Sequence, residues 1–267
     1  MDENLIRHIV LSALLSYKKK FSEEFGQLVL CSDGRNCWRK KLFPYYKAHR
    51  KKMRDSSGRD WRIIYESLNK IRDELKEYMP YAVLHFDDAE ADDIIATLAK
   101  YSQTHLPHHF SLFNEPEPLL ILSNDKDFIQ LHKYENVKQY SPIQKKYITE
   151  KDPESYLKEK IIRGDPGDGI PNALSDADTF VNPAKRQTKC GDKTVSSYLN
   201  TEYFAWPKNI QENYNRNDQL INFHYIPQEI CDKIVVDFEK QKPNRKKMMT
   251  YFIKNQLKNL MPSLQEF

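Results

Sequence analysis

The sequence predicts an α/β fold, with a central, mostly parallel sheet flanked by helices over residues 1–149 and a smaller helical domain over 150–267. Two observations carry this. Apolar runs of strand length, QLVLC (27–31), YAVLHF (81–86) and PLLIL (118–122), alternate with stretches of helical period, and strands separated by helices pair in parallel. From about residue 150 the pattern turns helical, and glycine and lysine punctuate it more often.

The elements follow in order. The opening MDENLIRHIVLSALLSYKKKF places Leu5, Ile6, Ile9, Val10, Ala13, Leu14 and Tyr17 at intervals of three and four, which predicts an amphipathic helix with one buried stripe. Acids ahead of the apolar stretch, Arg7 and His8 within it, and the lack of a small-residue cleavage site argue against a signal peptide. QLVLC is the first strand and ends at Ser32-Asp33-Gly34. Residues 60–79 form a helix with Trp61, Ile64, Leu68, Ile71 and Leu75 on one side, and YAVLHF is the second strand. The helix opened by DDAEADD follows, then PLLIL, closed by SNDKD. No apolar run approaches the roughly 20 residues that cross a bilayer.

Charge is unevenly spread. The net charge is +4, from 42 Lys and Arg against 38 Asp and Glu; without Asp33, Asp87, Asp88, Glu90, Asp92, Asp93, Asp125, Asp127, Asp165 and Asp168, 28 acids face 42 bases, a balance of +14. A basic chain with acid gathered at a few points suits a polyanionic partner and bound cations. Cys31, Cys37, Cys190 and Cys231 lack paired metal spacing and read as reduced cytoplasmic thiols.

Ligands of open α/β sheets bind beyond the carboxyl ends of the strands. Asp33 follows the first strand, the run 87–93 the second, and Asp125 with Asp127 the third. Glu90 and Asp93 share a helix face, and Asp92 lies to one side. In RGDPGDGIPN (163–172), Asp165 and Asp168 stand three apart in a loop with three of the chain's seven glycines. The helix dipole alone would favour two or three of the acids at 87–93, and a solvated turn would explain DKD or GDPGDG singly. Their joint occurrence at corresponding positions favours a cation site. Carboxylates without imidazole or thiolate suit Mg²⁺ first and Mn²⁺ second, and two such ions about 3.5–4 Å apart clamp a phosphodiester.

WRKKLFPYYKAHRKKMR (38–54) sets eight Lys and Arg among Trp38, Phe43, Tyr45 and Tyr46, combining phosphate neutralisation with rings on which bases stack. Trp38, Lys40, Lys41, Lys51, Lys52 and Arg54 are its candidate nucleic-acid contacts, joined by Gly167, Gly169 and Lys193. RDSSGRD (54–60) reads as a hinge. His105, His108 and His109 sit in a Pro-bearing surface loop with no acid or cysteine beside them, unlike a zinc site.

WRKKLFPYYKAHR, the EADD helix, SNDKDF and GDPGDGIPN, in this order, resemble the 5′ nuclease family of flap endonucleases and 5′-to-3′ exonucleases, in particular its T-even phage ribonuclease H branch, along nearly the whole chain. The resemblance implies a PIN-like nuclease domain and two metals. One is held or oriented by Asp33, Glu90, Asp92 and Asp125, the other by Asp127, Asp165 and Asp168, with Asp93 acting through water. It implies that Tyr46 stacks on the terminal base and that Lys47, Arg50 and Arg39 stabilise charge on the scissile phosphate. It also makes 163–172 a helix, three-residue turn, helix module that grips duplex backbone and a K⁺ ion. The implied substrates are DNA flaps, nicked duplexes and RNA/DNA hybrids, cut by a monomer in the cytoplasm of an infected bacterium, with a single-stranded DNA-binding protein and a sliding clamp as partners. One departure stands out. The family's first strand, which carries a metal-binding aspartate, is not seen ahead of Leu5, and Asp2 is too close to the helix to replace it. A catalytically weakened, structure-specific DNA-binding protein is therefore the alternative. A Toprim-like or haloacid-type phosphotransfer site around DKD fits less well, since Phe128 and Ile129 do not supply the small hydroxyl residue those sites need.

Overall fold

In the computed structural model, which describes residues 3–105 and 116–267 apart from the Lys52 side chain, the main elements run in chain order. They are α1 (Glu3–Phe25), β1 (Val29–Ser32), α2 (Arg39–Leu42), α3 (Arg50–Asp55), α4 (Trp61–Tyr78), β2 (Ala82–His85), α5 (Ala91–His105), β3 (Leu119–Leu122), a 3-10 helix (Lys126–Lys133), β4 (Val137–Ser141), β5 (Lys146–Ile148), α6 (Pro153–Arg163), α7 (Asp192–Leu199), α8 (Lys208–Ile221), α9 (Gln228–Lys240), α10 (Met248–Lys254) and a closing 3-10 segment (Lys258–Glu266). Contacts gather these into two compact units assembled from separated stretches. One comprises Met1–Gly34, Arg59–Pro118 and Glu229–Phe267; the other comprises Arg35–Gly58 and Leu119–Gln228. His108 and His109 lie outside the described residues.

The α/β class and the three expected strands are present, but the strands form two sheets, one in each unit. In the first unit β1 and β2 pair in parallel, Val29 opposite Ala82 and Ser32 opposite His85. The Gln241 side chain closes the outer edge of β2: Val83 N–H donates to its Oε1 at 2.8 Å and its Nε2 donates to Val83 O at 3.0 Å. An amide side chain thus satisfies the groups a neighbouring strand would otherwise take.

The core of this unit joins α1 (Ile6, Leu11, Leu15) to α4 (Ile71, Leu75), α10 (Tyr251, Phe252), the closing segment (Leu260, Leu264) and Phe267 after it. The buried stripe of α1 differs from the expected one. Leu5 and Ile9 are 52% and 57% exposed, whereas Arg7 is 1% exposed. Arg7 tolerates burial because its guanidinium donates to both oxygens of Glu74 (2.8 and 2.9 Å), to Asn4 (2.6 Å) and to Glu3 (2.7 Å). A buried charge persists when it is paired and hydrogen-bonded. Burial works against the Arg7 charge, but the bonds to Glu74 and Glu3 outweigh it and raise its pKa. On α4 the buried stripe is Ser67, Ile71 and Leu75, which leaves Leu68 exposed. Asp60 caps this helix by accepting from Ile63 N–H at 3.2 Å.

In the second unit β3 pairs in parallel with β4, and β4 pairs antiparallel with β5. The helix α6 starts at an Asp152 cap, accepting from Ser155 N–H at 2.9 Å, with a proline in its first turn, a favoured start for a helix. It packs against the 3-10 helix, α7 and α8. Ile162, Ala173, Val195, Trp206 and Ile210 form a second core, ringed by Tyr198, Tyr203 and Tyr214.

Candidate active site

The predicted carboxylates fall into two sets, one in each unit. Asp33, Glu90, Asp92 and Asp93 belong to the first. Parallel pairing puts the ends of β1 and β2 on one side, and a cross-loop locks the segments that follow. Gly34 N–H donates to Ala89 O at 2.8 Å, and Ala91 N–H donates to the Asp33 carboxylate at 2.8 Å. Gly34 is required here, since a Cβ would lie 2.1 Å from Phe86 O and 2.5 Å from Asp87 O. Asp93 is fully buried and accepts from Glu90 N–H at 2.9 Å. It caps α5 in the manner of a capping-box acid. Asp88 pairs with Lys233 at 3.1 Å. Asp33 follows β1, and Glu90 and Asp92 stand at the start of α5. The Cys31 thiol on β1 is pushed up to about 12 by burial, with the Asp92 charge adding to the shift.

The second unit holds Asp125, Asp127, Asp165 and Asp168. Asp125 follows β3 and caps the 3-10 helix, its carboxylate accepting from Asp127 N–H at 2.9 Å. Gln139, fully buried on β4, supports this turn from below: its Nε2 donates to Ser123 O (3.0 Å) and Asp125 O (2.6 Å), and its Oε1 meets His132 Nε2 at 3.1 Å. The GDPGDG loop is closed by two backbone bonds between Asp165 and Ile170, both 2.8 Å, with Gly164 and Gly169 at φ +67° and +75°. One cation joins the strand end to this loop. The Lys160 ammonium contacts Asp127 Oδ1 and lies 3.2 Å from Asp165 Oδ2. The nearby Tyr156 phenol has a raised pKa, chiefly through burial and then through Asp125 and other acids, Asp165 among them.

Asp168 faces the basic segment. It accepts from Tyr46 Oη at 2.8 Å and from Arg50 at 2.5 Å, Lys47 Nζ stands 3.5 Å away, and Lys47 N–H donates to its carbonyl at 2.7 Å. Lys47 has φ +55°, a sparsely populated conformation for a side-chain-bearing residue and one that collects at functional sites. Burial pushes the Asp168 pKa up and Asp165 adds to this, while Lys47, Tyr46 and Arg50 oppose it.

Several expected roles change. Tyr46 is 4% exposed, with its hydroxyl on Asp168, so its ring is unavailable to stack on a base. Trp38 is also buried. Arg39 is 3% exposed, donates from Nε to Leu220 O at 2.7 Å and lies over the Trp38 ring. Its guanidinium is committed inside the unit. Lys40, Lys41, Lys51 and Lys193 are exposed and Arg54 is half-buried. Gly167 offers its carbonyl to Arg50 Nε at 3.0 Å, while Gly169 lies against His49. Sequence reasoning missed Lys160 and Gln139. The only signals were a lysine one helical turn before Gly164 and a glutamine on the inward side of a strand.

A mixed α/β fold whose parallel strands end in carboxylates, with a basic and aromatic segment folded against one set, is that of a metal-dependent 5′ nuclease. The chain belongs to the 5′-3′ exonuclease family. Residues 5–161 match its N-terminal resolvase-like domain, and residues 151–267 match the C-terminal domain of T4 RNase H. The chain is 37% identical over 275 residues to the ribonuclease H of Enterobacteria phage T4, spanning 99% of this chain and 87% of that protein. It is 33% identical over 142 residues to the flap endonuclease Xni of Shewanella pealeana, half of this chain and 48% of the relative. Among solved structures, the T5 5′-exonuclease with bound zinc superposes with a TM-score of 0.61 at 17% identity, over 86% of this chain and 90% of the other. A bacteriophage T5 flap endonuclease in complex with DNA and metal ions gives 0.58 at 16% identity, over 86% and 89%. These two likenesses confirm the fold. Among the described residues, no helix is long and apolar enough to cross a membrane.

Proposed function

We propose that this chain is a Mg²⁺-dependent 5′-to-3′ exonuclease and flap endonuclease that removes RNA primers and adjacent DNA from lagging-strand fragments during phage DNA replication. The observation that carries this reading is the position of Lys160, a cation held between Asp127 and Asp165 where a divalent ion would be ligated. The donors are carboxylate oxygens, which fit Mg²⁺ or Mn²⁺. Asp33, Glu90 and Asp92 are the proposed ligands from the first unit, and Asp125, Asp127 and Asp165 those from the second. Bound divalent ions would supply Lewis-acid stabilisation of the scissile phosphate.

The chain's own residues do the rest. Asp168 holds Lys47 and Arg50 side by side, so two positive charges are presented together to a phosphate, and Tyr46 fixes Asp168 in turn. Gln139 keeps Asp125 in place. Lys40, Lys41, Lys51, Lys193 and the loop around Gly167 and Gly169 engage the nucleic-acid backbone by charge and close approach. A K⁺ ion on the 164–172 loop, action as a monomer in the host cytoplasm, and partnership with a single-stranded DNA-binding protein and a sliding clamp complete the reading.

Labelled flap and RNA/DNA substrates test it. Mg²⁺-dependent shortening from the 5′ end, lost in Asp127→Asn, is the expected result. Retention of flap DNA without cleavage under any divalent ion would instead identify a structure-specific binding protein.

A further inference from the structure

We propose that Lys160 is a built-in counter-cation of the Asp127–Asp165 carboxylate pair, one that must leave before a divalent ion enters and that therefore sets the ion affinity of the pair. The inference rests on the reading of these carboxylates as metal ligands, but it concerns a residue outside the ligand set. Asp127, Asp165 and Lys160 are all mostly buried, with side-chain exposures of 16%, 23% and 15%. Two carboxylates at this depth repel each other unless a cation lies between them, and the ammonium is placed there by α6, one turn before the helix ends at Gly164.

The ordinary reason for a lysine in the last turn of a helix is the negative end of the dipole. On α6, Arg163 already occupies that end, donating to Cys190 O at 3.1 Å and pairing with Glu159 and Asp192. Lys160 turns to the two aspartates instead. Mg²⁺ sits about 2.0–2.1 Å from its oxygen ligands. An ion bridging the Asp127 and Asp165 oxygens that face Lys160 would take the place of the ammonium, whose like charge opposes its entry. Lysine suits such a role, being a compact charge on a flexible four-carbon stem that can swing aside.

Two consequences follow for the resting protein. The pair is held at a separation a cation can bridge before any ion arrives, and ion affinity is lower than the carboxylates alone would give. Mn²⁺ alone, titrated into the full chain, separates the possibilities by calorimetry and by electron paramagnetic resonance of the free ion. The variants are Lys160→Met and Lys160→Gln, the second in case the first folds poorly. The proposal expects both to bind the same number of ions as the unsubstituted protein, one of them about tenfold tighter or more, nearer the water-screened than the buried limit for a unit charge at contact distance. It also expects a lower melting temperature without ions and a larger rise on adding Mn²⁺. Unchanged or weaker Mn²⁺ binding in both variants would overturn the counter-cation role while leaving the metal-site reading intact. If the unsubstituted protein and both variants took up no Mn²⁺, the metal-site reading would fall, and this inference with it.

Discussion

Gly34→Ala is the substitution whose cost the structure defines most closely. The added Cβ would meet Phe86 O at 2.1 Å, Asp87 O at 2.5 Å and Ala89 O at 2.7 Å, and Gly34 N–H already donates to Ala89 O. All three obstacles are backbone, so none can rotate away; the 86–89 turn itself must shift. Overpacking of this kind costs about 1–3 kcal/mol, and losing the hydrogen bond adds roughly 0.5–1.5 kcal/mol, giving a destabilisation of about 2–4 kcal/mol. For a chain of this size that is a fall of roughly 5–15 °C in melting temperature. Asp33 is bonded to Ala91 N–H at 2.8 Å, so the same shift should weaken Mn²⁺ binding. Gly191→Ala is the control, since a Cβ there meets nothing within 4 Å, and a change below about 0.5 kcal/mol is expected. Urea denaturation followed by circular dichroism measures both. If Gly34→Ala were as stable as Gly191→Ala with unaltered Mn²⁺ uptake, the close-approach reasoning for this turn would be wrong.

Arg7→Met should cost about 3 kcal/mol in urea denaturation, because Glu74 loses both guanidinium bonds and keeps its bond from the Tyr251 hydroxyl, and Arg7→Met with Glu74→Leu should recover part of that loss while leaving the Tyr251 hydroxyl without its acceptor. The Glu3 carboxyl is held below the usual range of about 4.5 by its bond from Lys70 and then by Arg7. Its contribution to stability is therefore present above that range and lost as pH falls through the lowered value, so Lys70→Met should flatten the acid limb of the urea midpoint against pH. Gln139→Leu should lower Mn²⁺ affinity and cleavage together, since the carbonyls of Ser123 and Asp125 lose their donor; unchanged cleavage with only a lower melting temperature would limit Gln139 to a role in folding.

Much of this was legible in the chain because it is local. Strand-length apolar runs, an acid just beyond each, and the Asp and Gly of 164–169 announce themselves within a few residues. What escaped depends on partners far away in sequence. The buried face of α1 is not legible locally because Leu5, Ile9 and Ala13 also recur at helical spacing, and the choice of face is made by Glu74, 67 residues from Arg7. The β4–β5 hairpin is hidden in the sequence because Gln139 and Ser141 are buried polar residues, which blurs the alternation that marks a strand. The sheet appeared single because periodicity does not report pairing, nor that Gln241 would close the edge of β2. The family resemblance points Tyr46 and Arg39 towards the substrate, whereas their partners here, Asp168 and Leu220 O, lie 122 and 181 positions away.

The loop at 164–170 is where these local and distant constraints meet. Asp165 reaches Lys160, and Asp168 reaches Tyr46, Lys47 and Arg50. The two acids are three residues apart in a turn pinned at both ends by the Asp165–Ile170 bonds, and Asp168 N–H donates to Asp165 O at 3.1 Å. A displacement of one carboxylate that moves the turn must therefore move the other. The cation between Asp127 and Asp165 and the orientation of Lys47 and Arg50 share one rigid support, so a substitution such as Asp165→Asn should disturb both ion binding and the presentation of positive charge, not ion binding alone.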